Sequence, residues 1–131
     1  MGLDQYAGFR DSNGEVHDTF YWRKHARLQQ FFAEKFNEQK PKEEHNTDSM
    51  LQHLGFNGGQ GGVKITEDII KELEKEIKNG YPNYFASDGF FWGQQFQEEQ
   101  VKEYADQDKK FIDWCKEKLK EGKEIGYDCS W

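Results

Sequence analysis

Apolar and polar positions alternate along Leu3–Phe9 and again along Val16–Trp22, with Asp11-Ser12-Asn13-Gly14 between the two runs. A period of two marks strands that lay one face on a core, so the pair predicts a β-hairpin. Asn13-Gly14 offers the two positive-φ residues that a tight type I′ turn requires. On the second strand Val16, Asp18, Phe20 and Trp22 share one face, while His17, Thr19 and Tyr21 share the other. Neither face is purely polar, which predicts partial cover on both.

The period then lengthens. Trp22, Leu28, Phe32 and Phe36, with Ala26, Gln29 and Phe31 beside them, give a stripe at helical spacing, and a first helix is expected over about 22–38. The polar run Gln39–Ser49 breaks it and reads as an exposed connection extending, with the glycines that follow, over 39–62. Met50–Leu54 fits one short helical turn. A second helix opens at Thr66, with Glu67 and Asp68 in its first turn and Ile65 paired to Ile70 as a hydrophobic staple. Ile69, Ile70, Leu73 and Ile77 form its buried stripe, and Gly80 with Pro82 ends it. Ala86–Gly93 is a short aromatic run read as a strand or packed loop. A third helix is expected over 97–121, followed by a last strand from Glu124. The sum is an α+β fold: about three helices on a small, mostly antiparallel sheet, within a single domain spanning 1–131.

Composition changes one part of this picture. Hydrophobic residues are 34% and charged residues 33% of the chain, yet eleven Phe, six Tyr and four Trp are present. Each buried ring removes roughly 150–250 Å² from water, so a few rings can build the core that scarce aliphatics cannot. Trp22, Phe32 and Phe111 are expected to meet in it. No apolar run approaches the ~20 residues that span a bilayer, and Met1–Phe9 lacks the basic flank and apolar centre of a secretory signal, so a soluble intracellular protein is expected. Two cysteines make no disulfide framework, and Cys115 falls on an apolar helix side as a buried thiol.

Charge narrows the function classes. A net charge of −7 disfavours nucleic-acid binding, which needs a basic face. His17, His25, His45 and His53 show none of the short spacings of zinc sites, and neither a metal nor a cofactor is expected. No Gly-x-Ser-x-Gly is present, and the glycines of 55–62 lack the Gly-Lys-Ser/Thr of a phosphate loop, which leaves them as a connection or an anion cradle. Asp4 is an acid in an apolar strand, expected to accept from a neighbouring Arg or Trp. Arg23, Lys24 and Arg27 fall in the first turn of the expected helix, against its dipole. Two readings account for them: pairing of Arg23 or Lys24 with Asp4, Asp11 or Asp18 of the hairpin, or an anion site at the helix start.

The start Met1-Gly2-Leu3-Asp4, the Tyr21-Trp22-Arg23-Lys24 helix entry, the Ile65-Thr66-Glu67-Asp68 cap, Gly89-Phe90-Phe91-Trp92-Gly93 and the final Ser130-Trp131 occur in this order. Together they resemble small proteins of tailed bacteriophages and prophages that carry no established activity and are sometimes labelled phosphoglycerate kinase. That label does not fit, since 131 residues cannot supply two nucleotide- and substrate-binding lobes. The stretch 39–62 is richer in glycine and charge than in typical members. The resemblance implies action in the cytoplasm of an infected bacterium, and its shared signature falls on Asp4, Tyr21, Trp22, Arg23, Lys24, Phe91 and Trp92.

Two functions follow as expectations. The favoured one is a non-enzymatic protein that binds a host protein, its acidic field steering it toward basic targets. The alternative is a small enzyme or ligand-binding domain for a phosphorylated or carboxylated metabolite, its site where Trp22, Arg23, Lys24 and Arg27 meet Gly89–Gly93. The oligomeric state is left open.

Overall fold

The computed structural model describes residues 3–40, 56, 62–82 and 94–130. In chain order these form β1 (Asp4–Arg10), β2 (Val16–Arg23), α1 (Ala26–Gln39), β3 (Val63–Lys64), α2 (Glu67–Lys78), α3 (Gln94–Glu103), α4 (Ala105–Lys120) and β4 (Glu124–Ser130). The strands make one antiparallel sheet in the order β2-β1-β4-β3. The fold is α+β, as the hydrophobic pattern predicts. α1 and α4 lie against the sheet, and α2 packs on α4.

The hairpin is present, but its turn differs from expectation. Only Gly14 has positive φ (84°), and Asn13 does not. The Asp11 carboxylate accepts from the Asn13 and Glu15 amides at 2.9 Å each, closing the turn with a side chain instead of an Asn-Gly pair. A β-bulge between Ala7 and Gly8 then shifts the pairing, so Ala7 faces Phe20 and Gly8 faces Asp18. Beyond the bulge the faces of β2 exchange. Phe20 and Trp22 point inward, whereas Val16 and Asp18 lie outward with Tyr21 and Arg23. A Cβ at Gly8 would sit 2.3 Å from the His17 carbonyl oxygen, so the close approach demands glycine.

The first helix begins later than its apolar stripe. Trp22 pairs with Gln5 in the sheet, Lys24 turns the chain at φ 58°, and His25 caps α1 by accepting from the Leu28 amide. Arg23 and Lys24 therefore precede the helix, and the conflict with its dipole does not arise for them. α2 matches its prediction: Thr66 Oγ1 accepts from the Ile69 amide, and Gly80 takes φ 77° past its end. The single third helix is instead two, α3 and α4, separated at Tyr104 (φ −96°, ψ 6°). Tyr104 and Asp108, one turn apart, both face His25. The short strand β3 has no counterpart in the sequence pattern, and the expected last strand, β4, lies inside the sheet between β1 and β3. The expected turn at Met50–Leu54 and the run Ala86–Gly93 lie outside the described residues.

The core is aromatic. Trp22, Phe32 and Phe111 are fully buried in one cluster, with Trp22 edge-on to Phe111 at 4.9 Å. Tyr127 stacks on Phe32 at 3.9 Å, and Phe56 stacks on Phe36 at 4.5 Å. Offset and edge-on ring pairs add roughly 0.5–1.5 kcal/mol each beyond their area. Cys115 and Cys129 are buried free thiols.

Candidate functional site

Two places gather polar chemistry: a sealed network inside the core and the outer face of the sheet, where Val16 and Tyr21 stand in solvent. Inside, Asp108 accepts from Trp22 Nε1 at 2.9 Å through one oxygen. Its other oxygen meets His25 Nε2 at 2.9 Å and the Tyr81 hydroxyl at 2.8 Å. His25 Nδ1 accepts from the Leu28 amide, so the ring proton sits on Nε2 and is donated to Asp108. Gln5 clasps the His25 backbone, accepting from its N–H at 2.8 Å and donating to its carbonyl at 3.0 Å. Gln5 also donates to the Tyr127 hydroxyl, which donates to Gln29 at 2.6 Å; Gln29 donates to Cys129 Sγ, whose thiol donates to the Phe56 carbonyl.

A histidine–aspartate pair with a tyrosine invites a catalytic reading, and the geometry opposes it. His25, Asp108 and Tyr81 are at most 1% exposed, and the Asp108 oxygens and His25 ring nitrogens already face protein partners. Burial, then the adjacent Asp108, holds the Tyr81 phenol well above its usual range; burial does the same for Tyr127. The network is a fully satisfied polar spine that fixes how β1, β2, α1 and α4 meet. None of its members except Trp22 was expected at a site, because the partners lie up to 122 residues apart in sequence.

The outer face has the opposite character. Register places Arg23, Asp4 and Ser130 in one row across β2, β1 and β4, and Tyr21, Tyr6 and Asp128 in the next. Asp18, Gly8, Gly126 and Lys64 cross all four strands, and Val16, Arg10 and Glu124 form the last row. Val16 and Tyr21, 60% and 47% exposed, are the large hydrophobic side chains left in solvent among the described residues. Gly8 and Gly126 carry no side chain into the middle of the sheet, where the bulged β2 backbone closes over the buried Gly8. Over them lies a shallow groove of about 570 Å³ bordered by Tyr6, Val16, Asp18, Asp128, Lys40 and Lys64. Asp18, Asp128, Arg10, Arg23, Glu124 and Lys64 form no ion pair among the described residues. Partial burial raises the Asp128 carboxyl above its ordinary value against the pull of the Cys129 amide, and Asp18 across bare Gly8 adds to the rise.

The expected site residues separate between these places. Asp4, Tyr21 and Arg23 come together on the outer face, where the Tyr21 hydroxyl donates to Asp4 at 2.5 Å and stands in for the expected Arg or Trp. Trp22 points the other way, into the core. Lys24 is half-buried at the turn, and Arg27 donates to the Gly80 carbonyl at 2.9 Å. Phe91 and Trp92, with most of the glycine-rich segment, lie outside the described residues. Asp11, Glu15 and His17 bring possible metal ligands within 4.8 Å of one another. The Asp11 carboxyl is lowered by the His17 ring and the Glu15 and Asn13 amides that it already accepts, which makes the group the staple of its own turn.

No family model matches the chain, and no curated protein or solved structure matches it significantly. No helix of the described residues is long and apolar enough to cross a membrane.

Proposed function

We propose that the chain is a non-enzymatic protein-binding module whose docking surface is the outer face of the sheet. The observation that carries this reading is the meeting of solvent-exposed Val16 and Tyr21, and of Tyr6, with charges of both signs that form no ion pair among the described residues, on one face of the sheet. Tyrosine is favoured where a surface binds protein, because its rigid ring contributes contact area and a hydroxyl at low entropic cost. Flanking charges set orientation more than affinity. The His25–Asp108–Tyr81 constellation is sealed, and the exposed Asp11–His17 pair is engaged in closing its own turn, which turns the balance away from an enzyme. On the phage-type resemblance, the partner is a protein in the cytoplasm of an infected bacterium, approached through the net acidic field.

Capture from bacterial lysate on immobilised protein tests this. Wild-type chain should retain a specific protein, Tyr21→Ser and Val16→Asp should each lose it, and Lys109→Ala on the helical side should keep it. Equal retention by all three variants would remove the outer face from the account. The metabolite alternative predicts instead a thermal shift with phosphorylated or carboxylated small molecules, worth about 2.7 kcal/mol at a hundredfold excess over Kd.

A further inference from the structure

The charges of the outer face are arranged in a way that selects a particular partner. In two rows a charge on the β2/β1 side has its opposite on the β4/β3 side. Asp18 on β2 shares a row with Lys64 on β3, and Arg10 on β1 shares a row with Glu124 on β4. The Tyr6 hydroxyl on β1 shares a row with the Asp128 carboxyl on β4, and Asp4 on β1 with the Ser130 hydroxyl on β4. Within one molecule Asp18 and Lys64 are three strand spacings, roughly 14 Å, apart and cannot meet. Arg10 and Glu124 are cross-strand neighbours, yet they form no ion pair among the described residues.

A two-fold axis lying parallel to the strands and above the Gly8–Gly126 pair changes that. It lays β2 over the partner's β3 and β1 over the partner's β4, while keeping each row opposite itself. Asp18 then meets the other copy's Lys64, Arg10 its Glu124, and Tyr6 its Asp128, each contact occurring twice, as an isologous interface requires. A two-fold across the strands, through the same centre, would set Asp18 on Asp18 and Glu124 on Asp128. Charge therefore favours one orientation and opposes the other.

We propose that the outer face pairs with a second copy of this chain in this orientation. The proposal rests on the reading of that face as a protein-docking surface and names its occupant. Three strands of about seven residues and the two-residue β3, about 4.8 Å apart, give a face of roughly 375 Å² per copy. The total of about 750 Å² falls below the ~1,200 Å² of stable specific interfaces, so the pair is expected to be weak and reversible.

Sedimentation of the purified chain from about 10 µM to about 1 mM spans the range expected of so small an interface. Wild type should pass from monomer to dimer across it. Asp18→Lys and Lys64→Asp, both at exposed positions, should each shift the midpoint at least tenfold upward, since each puts like charges together twice. Mixing the two variants should restore dimer, because positions 18 and 64 then carry opposite charges at both of their contacts in the mixed pair. Dimerisation of Asp18→Lys at the wild-type midpoint, or a mixture no better than its components, overturns the orientation and the proposal with it. A wild-type chain that stays monomeric at about 1 mM overturns self-pairing alone. The docking face then belongs to a different protein, and capture by wild type against Tyr21→Ser decides that separately.

Discussion

Replacing Asp108 by asparagine would turn one acceptor oxygen into an N–H₂ that faces donors, because His25 Nε2 and the Tyr81 hydroxyl both converge on Oδ2. Each buried donor left without a partner costs about 1–3 kcal/mol, so Asp108→Asn should lose roughly 2–4 kcal/mol in urea unfolding. Tyr81→Phe removes one donor and leaves the carboxylate its other two, for a loss of about 1 kcal/mol. If Asp108→Asn unfolds at the wild-type midpoint, the spine does not hold the helices to the sheet. At this scale the sequence was legible for rings and opaque for polar partners. Trp22 and Phe111 are marked for the core by their type and spacing. Nothing local marks Asp108 on α4 as the acceptor for an indole on β2, since an aspartate on a charged helix looks like solvated surface until the fold closes over it.

Elements show how the exposed sides of this sheet are kept from sticking. On the outer side of β3, Gln39 behaves as an extra peptide group, donating to the Lys64 carbonyl at 2.7 Å and accepting from its N–H at 3.0 Å. On the outer side of β2, Gln107 donates to the Tyr21 carbonyl at 2.6 Å and the Tyr104 hydroxyl accepts from the Arg23 N–H at 2.9 Å. Free strand edges template aggregation, and side-chain amides from α1 and α4 occupy these. The double variant Gln39→Ala/Gln107→Ala should lose about 1–3 kcal/mol from the broken hydrogen bonds and aggregate faster on mild heating, read by light scattering. Unchanged aggregation would mean that the amides are incidental. Element type and order were readable where periodicity was strong, above all in α2 with its Thr66 cap. Boundaries failed where a tertiary contact overrode the pattern: Trp22 is claimed by the sheet, Tyr104 interrupts a helix with no Gly or Pro to announce it, and the bulge at Gly8 reverses which side of β2 is wet. The outer-face site was half legible, since Asp4, Tyr21 and Arg23 stood out, but Asp128 and Lys64 join them only through the sheet order.

For the whole molecule, burial of acidic protons makes alkali the vulnerable direction. Burial pushes the Cys129 thiol up to about 12 against a stabilising Gln29 contact, raises Cys115 as well, and raises Tyr81 and Tyr127. An unfolded chain releases thiol protons near pH ~8.5 and phenol protons near ~10. The folded chain therefore holds more protons than the unfolded one above these values, and stability falls as pH rises. It should be complete below pH about 8, decline from about 8.5, and steepen past about 10, each group adding up to about 1.4 kcal/mol per pH unit. Urea midpoints between about pH 7 and 11 measure this, and Cys115→Ala with Cys129→Ala should flatten the first limb. A first limb that persists without the thiols would contradict the assignment. The order β2-β1-β4-β3 also has a consequence for synthesis. The last described strand separates β1 from β3, so a nascent chain in which Glu124–Ser130 has yet to be made holds a hairpin and a stub that cannot join. Translation arrested before Glu124 should yield a protease-sensitive polypeptide, and folding must wait for the seven residues that close the gap.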